Sequence, residues 1–482
     1  MGLSTSLSTA IGGLNATQVG IGVVSQNVAN AGTTGYVRRS VSTADSLSGL
    51  TIGVQNTQVQ RLLDKIVQHQ LWQEASGGAY TSTRASAMSN LDKLYGAPGS
   101  ATALDTIFSQ FTGALQSLQN DPSSYSLRSQ VIDSAAQLAR QLNTLSDGVQ
   151  TLRSQAESGI ANGVAKVNDL LGALTKVNSR IVAAPNDSST ASLKDQRDLI
   201  LSELSQYVDI KTTEDARGSI SIITGSGTQL FDGQAAVTFS FDEHTGLDAD
   251  DQWNADPTLR GVGTIKMKDA SGNVSDAIVN RIFRSGEIAA NLELRDKTLV
   301  QAQAQLDEIA AHLAEALGSG GAPIFVDGAG NTPYAGAADK LGFAGRIAVN
   351  DDIIQNRALL IGPVGTASGD ATRPAALLKA LTQDDRNFAA LGLDGSTTPT
   401  TGTIANFVQR VVSSQGQAVE AAKRLDEGQQ VALASIQSRF QETAQVNVDQ
   451  EMSMLIELQT AYAANARIIS TVKEMMDVLL RV

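Results

Sequence analysis

The stretch VNVDQEMSMLIELQTAYAANARIISTVKEMMDVLLRV, Val446 to Val482, decides the fold. Counted in sevens, Leu455, Tyr462, Ile469 and Met476 take one position, and Leu458, Asn465, Val472 and Leu479 take the other. A heptad repeat carried to the last residues predicts a helix that lies against other helices, with an ordinary amphipathic core helix as the alternative on this stretch alone. Asn447 is placed to cap it, with Gln450 three residues on as the second half of a loose capping box. Asn465 is the one polar residue of that seam, and a polar seam residue sets register at some cost in stability.

The other end of the chain supplies a partner. Leu3, Leu7, Ala10, Leu14, Thr17, Ile21, Val24 and Val28 also step by three and four, and the pattern stops at Asn30-Ala31-Gly32. Both ends therefore read as coiled-coil strands. A chain whose ends pair has its middle folded out as a hairpin.

Between them the period changes several times. Residues 33–60 are rich in Gly, Ser and Thr and predict an irregular or extended connector. Helical spacing returns from Arg61 to Tyr95 and from Ala101 to Leu118. No proline occurs between Pro122 and Pro185, and apolar residues run at helical spacing from Leu127 to Ile181. A helix of ~50 residues spans about 75 Å, so the body is elongated, with Gly148, Gly159, Gly163 or Gly172 as a candidate break. Alternation by two at 219–222, 235–241 and 265–268, punctuated by Gly-containing turns, predicts a small antiparallel sheet. Ile288 to Leu317 is helical again, and residues 318–402, rich in Gly and Pro, read as an outer insertion of mixed structure. The expected fold is thus mainly α with a smaller β part, an elongated multi-domain hairpin. Its divisions are 1–60 with 441–482 as the paired ends, 61–210, 286–317 and 403–440 as the helical body, 211–285 as the β domain and 318–402 as the insertion.

Composition narrows the function classes. The 482 residues carry a net charge of −13, which argues against nucleic acid and anionic membrane surfaces as partners. There is no cysteine, so thiolate chemistry and disulfides are excluded. The N-terminus has no basic n-region followed by an apolar core, and no run approaches the ~20 apolar residues of a membrane span. His69, His244 and His312 have no second ligand at metal spacing, and His312 reads as part of a solvated helix face. The acidic run Phe241–Pro257 fails as a calcium loop, with Trp253 where glycine is needed and Leu259 where a glutamate is needed. The glycines of 225–233 fit no phosphate cradle. Glu243 and Asp248, tried as a glycosidase carboxylate pair, lie in a turn with no sign of a cleft. The expectation is no enzyme, no metal and no cofactor.

Four motifs carry a family resemblance. Asn27–Arg39, NVANAGTTGYVRR, resembles the opening motif of flagellar axial proteins, the rod, hook and hook-associated families, and ELQTAYAANARIISTVKEMMDVLL resembles their closing motif. SLKDQRDLILSELSQYVDIK (Ser192–Lys211) and SGEIAANLELRDKTLVQAQAQLDEIAAHL (Ser285–Leu313) are similar to the hook-associated branch; the likeness thins across 318–402. The resemblance implies a structural protein at the junction of hook and filament, exported from the cytoplasm without a cleaved signal and ending outside the cell. It implies a ring of self-associating subunits, contacts with the hook protein, a second junction protein and filament-side proteins, and an export chaperone on the C-terminal segment. The two seams, Leu3, Leu7, Leu14, Ile21, Val24 and Val28 with Leu455, Leu458, Tyr462, Asn465, Ile469, Val472, Met476 and Leu479, would then pack between subunits as well as within one. A hook or distal-rod subunit shares both terminal motifs but lacks the long helical middle. A secreted coiled-coil adhesin would leave NVANAGTTGY unexplained.

Overall fold

The computed structural model describes residues 2–48, 51–97, 99–183, 190–393 and 398–480, and for residues 3, 43–48, 51–58, 479 and 480 the backbone alone. The side chains of Leu3 and Leu479 therefore lie outside the described residues. Long helices dominate. Helix α1 (Leu3–Ala29) leads into an antiparallel ribbon, β1 (Arg39–Ser48) and β2 (Thr51–Arg61), paired from Arg39↔Arg61 outward. The irregular or extended connector expected here is extended, as a paired ribbon. Its Ser and Thr residues pair through the backbone, which needs no apolar face.

Helix α2 (Lys65–Tyr95) is capped by Asp64, whose carboxylate accepts from the Ile66 and Val67 amides at 2.8 and 3.3 Å. Helix α3 (Leu104–Asn120) follows, and then α4 (Tyr125–Ala183), 59 residues without a break and about 90 Å long. The expected break does not occur, because three of the four glycines serve close approach. A Cβ on Gly148 would meet Leu94 at 2.4 Å, on Gly159 Asn291 at 2.7 Å and on Gly163 Ile288 at 2.7 Å.

Two apolar cores lie end to end along α4. The first takes Val131 to Ala156 of α4 with the C-terminal half of α2 and with α3. Helix α7 (Leu299–Ala316) and the N-terminal half of α10 (Ile404–Ala444) complete its helical wall. The second takes Ile160 to Leu174 of α4, α5 (Thr190–Tyr207) and α6 (Glu287–Glu293), with two three-stranded antiparallel sheets on them. Those sheets are β3 (Ile210–Glu214), β4 (Ile220–Thr224) and β5 (Gln229–Phe231), then β6 (Thr238–Phe241), β7 (Ile265–Lys268) and β8 (Val274–Asp276).

Residues 318–402 differ from the outer insertion expected of them. Phe325, Phe343, Ile353, Leu360, Leu381 and Phe388 are all in the first core. The elements there are short: β9 (Phe325–Asp327) with β10 (Ile347–Val349), α8 (Asp351–Gln355), α9 (Thr372–Thr382), and β11 (Arg386–Phe388) with β12 (Thr400–Gly402). Their scattered apolar residues reach the core one at a time, so no period betrays them.

From Ala422 to Ala444 no intervening residue of α10 is buried; that half runs beside the start of α2 as a two-helix stalk. Gly77 there makes room for Gln429, and Thr81 Oγ1 donates to Asp426 Oδ1 at 2.9 Å. The last helix, α11 (Val448–Leu480), lies antiparallel against α1. Helix α1 is the one helix among the described residues long and apolar enough to cross a membrane, contrary to the sequence expectation. No charged residue lies in it to lower its hydropathy, yet Ser, Thr, Asn and Gln recur through it and its apolar side faces α11.

Candidate subunit-packing seam and the junction beneath it

The two heptad seams meet each other. A Cβ on Gly13 would touch Asn465 Nδ2 at 2.9 Å, and a Cβ on Gly20 would touch both Leu458 methyls at 3.1 Å. One heptad further, Asn27 Nδ2 donates to Glu451 Oε2 at 2.9 Å. The contacts climb α1 and descend α11 in equal steps, which defines an antiparallel register. Within it Val24 and Val472 are buried, Leu7, Leu14, Ile21 and Val28 are half-buried, and so are Leu455, Leu458, Asn465, Ile469 and Met476. Tyr462 stays 40% exposed. Asn447 caps α11, its Oδ1 accepting from the amides of Asp449 and Gln450 at 3.0 and 3.2 Å.

Helix α11 carries a second row that no seam reading singled out. Met454, Ala461, Ile468 and Met475 recur every seven residues, one position before Leu455, Tyr462, Ile469 and Met476. Met454, Ile468 and Met475 are 43%, 46% and 44% exposed. The helix thus has one apolar stripe against α1 and a second beside it that leaves Met454, Ile468 and Met475 exposed.

Below the pair lies a polar knot. Asn27 is fully buried; its Nδ2 also donates to the Arg39 carbonyl at 2.8 Å, and its Oδ1 accepts from Tyr36 Oη at 2.8 Å and the Arg39 amide at 3.1 Å. All of its hydrogen-bonding capacity is used, as burial requires. Burial pushes the Tyr36 phenol up against the lowering effect of Arg39, which keeps it a donor. Glu451, 1% exposed, also receives Arg38 Nε at 2.6 Å, while the Arg38 amide donates to the Ala444 carbonyl at 2.8 Å.

Arg39 then reaches into the body. Its Nη2 meets Asp195 Oδ2 at 2.8 Å and Ser192 Oγ at 3.0 Å. Arg61 joins from β2, with Nε 2.9 Å from Asp195 and Nη2 2.6 Å from Asp198. Burial pushes the Asp195 carboxyl up, opposed by Arg61 and Arg39. Gly35, at φ 78°, lets the loop pass close over α5, where a Cβ would strike Leu199 at 2.4 Å. So the opening motif, the Ser192–Lys211 motif and Glu451, six residues before the closing motif, meet at one place. Heptad spacing alone does not reveal the knot. The available signal is Glu451, an acid one heptad before Leu458 in a seam whose one other polar residue is Asn465.

The fourth motif braces α4. Arg295, fully buried, pairs with Glu157 Oε2 at 2.6 Å and with Asp296. Arg153 clasps the acidic turn by donating to the Asp248 carbonyl at 2.7 Å and to the Asp251 carbonyl, so that turn is a structural loop on α4. His312 is not on a solvated face: its ring meets Glu308 Oε1 at 3.3 Å and Phe388 edge-on at 4.7 Å. Among the described residues no group of His, Asp and Glu could hold a metal ion.

Residues 88–319 match the family "Flagellar hook-associated protein FlgK helical domain". Residues 437–482 match "Flagellar basal body rod FlgEFG protein C-terminal", and 7–36 match "Flagella basal body rod protein". The chain is 25% identical to flagellar hook-associated protein 1 of Bacillus subtilis strain 168, over 98% of this chain and 96% of that one. It is 24% identical to the protein of that name from Salmonella typhimurium and 23% identical to that of Escherichia coli K12, over 100% of both chains in each case. Among solved structures, the flagellar hook junction protein FlgK from Burkholderia pseudomallei is 26% identical, with a TM-score of 0.45, over 54% of this chain and 47% of that one. These relatives are flagellar structural proteins, not enzymes.

Proposed function

We propose that this chain, which is similar over nearly its whole length to flagellar hook-associated protein 1, is a structural component of the bacterial flagellum that forms the junction between hook and filament by helix packing. The observation that carries this reading is the second stripe on α11. An apolar row at heptad spacing, exposed in the single chain at Met454, Ile468 and Met475 and beside an occupied seam, suits a third helix from a neighbouring copy. Contacts of that head-to-tail kind repeat, and close into a ring if the rotation allows. The α1 and α11 seams then serve between subunits as well as within one. The hook protein would lie below the ring, a second junction protein and filament-side proteins above it, outside the cell. Before export the C-terminal segment would be held by a cytoplasmic chaperone. The match to the helical domain favours this over a hook or distal-rod subunit.

Two observations test it. Negative-stain microscopy of cells lacking the protein should show hooks without filaments; filaments of normal length would overturn the junction role. Ile468→Asp puts a charge on the second stripe and leaves the α1 seam alone. The variant should be secreted and folded yet absent from isolated hook–basal bodies; wild-type amounts on them would remove the stripe from the interface.

A further inference from the structure

With no cysteine in the chain, methionine is the sulfur that an oxidant of the peroxide class finds. Four of the seven methionines, Met452, Met454, Met475 and Met476, lie in α11. Met454 and Met475 stand at the two ends of the second stripe, with roughly two-fifths of each side chain in solvent, whereas Met88 is 3% exposed. Met452 is as open, at 44%, but its own heptad row continues as Gln459, Ala466 and Lys473, which is no apolar seam. Met476 faces α1 and is half-buried.

We propose that Met454 and Met475 are oxidation sites that control assembly of the subunit. A peroxide transfers one oxygen to each thioether sulfur: its O–O bond breaks, an S–O bond forms, the sulfur loses two electrons, and the peroxide leaves as water or the corresponding alcohol. The product is a sulfoxide, polar where the stripe was apolar. Packing it against a neighbouring helix strips water from a strong acceptor that the seam cannot satisfy. Oxidation therefore acts on the free subunit, and assembly, by covering the two sulfurs, protects them. The inference rests on the reading of α11 as an inter-subunit helix.

The test uses full-length subunit and isolated hooks from cells lacking it, with co-sedimentation as the readout. Hydrogen peroxide is applied in a time course followed by peptide mass spectrometry. Met454 and Met475 should gain oxygen at least about fivefold faster than Met88. Oxidised wild type should lose about tenfold in hook binding, and treatment with methionine sulfoxide reductases should restore it. The Met454→Leu/Met475→Leu variant should bind before and after peroxide, although its Met452 still oxidises. Oxidised wild type that binds as well as untreated protein overturns the control and leaves the assembly reading standing. Equal loss in the double leucine variant overturns the assignment to these two sulfurs. Failure of untreated wild type to bind hooks overturns the assembly reading, and this inference with it.

Discussion

Asn27 and Glu451 join the two paired ends to each other and, through Arg38 and Arg39, to the loop that reaches the body. Glu451 is buried with one oxygen on Asn27 and the other on Arg38. Truncation to alanine leaves the Asn27 amide short of a partner in a fully buried place and strands a largely covered guanidinium. Glu451→Ala is expected to lower stability by roughly 2–3 kcal/mol. Glu451→Gln keeps an acceptor for one of the two donors and should cost less. Denaturant unfolding followed by helix circular dichroism would check the order. An alanine variant indistinguishable from wild type would mean that the knot is already open in solution. The heptad seams were legible at this scale because spacing is a local property. The knot was not: Asp195 lies 156 residues from Arg39 and Asp198 137 residues from Arg61, and no local pattern links them. Glu451 was hidden for a simpler reason, since a heptad frame begun at Leu455 starts one residue row too late to include it.

At the scale of elements, glycine shows how the α1–α11 contact differs from the free surface of the same helix. Gly20 faces Leu458, whereas a Cβ on Gly22 would meet nothing within 4 Å. Gly22→Ala should raise stability by about 0.5–1 kcal/mol through helix propensity alone. Gly20→Leu should lower it by about 1–3 kcal/mol, because the new side chain enters an occupied seam. Opposite signs in thermal melts of the two variants are the expected result; two stabilised proteins would show that α1 does not rest on α11 at this register. Elsewhere Glu214 joins three elements, with Lys65 of α2 at 2.6 Å and Lys194 of α5 at 2.9 Å. Burial alone would raise its carboxyl, but the two ammonium groups and Arg197 overcome that and hold it at about 2, below the ordinary 4.5. A depressed folded-state pKa means stability that is whole above pH 4.5 and lost as pH falls towards 2. Lys65 is 67% exposed, so screening trims the contribution to about 1–2 kcal/mol. Glu214→Gln should flatten that part of the acid limb; an unchanged slope would take Glu214 out of it. Element by element, the long helices were readable because each repeats its period many times. The ribbon of β1 and β2 has almost no apolar alternation to read. Residues 318–402 hide core residues such as Phe343 and Leu360 among glycines and prolines, where only the tertiary fold shows that they are buried.

The whole molecule is a graded structure: two packed cores along α4, then a stalk, then a helix pair held by one seam and one knot. Among the described side chains of α11 only Glu451 and Val472 are buried, whereas α4 buries residues along its whole length from Arg128 to Ile181. Ordering either helix costs backbone entropy of roughly 1–2 kcal/mol per residue, so the element with least burial opens first. The free subunit should therefore unfold from its ends inward. Limited proteolysis with mass spectrometry is expected to remove α11 and α1 first and to nick the stalk half of α10 next. The two cores should survive as a fragment that keeps α3, α4 and α7. Glu451→Ala should hasten the first cut without changing the last, since the knot joins the ends to the body and the cores do not depend on it. Copies assembled on hooks should lose this order, because the second stripe of α11 would then be covered. Simultaneous cleavage of ends and body in the free wild-type chain would show that the knot makes one cooperative unit of the whole. The ends would then be as stable as the cores before any neighbour arrives, and assembly could add contacts but not order.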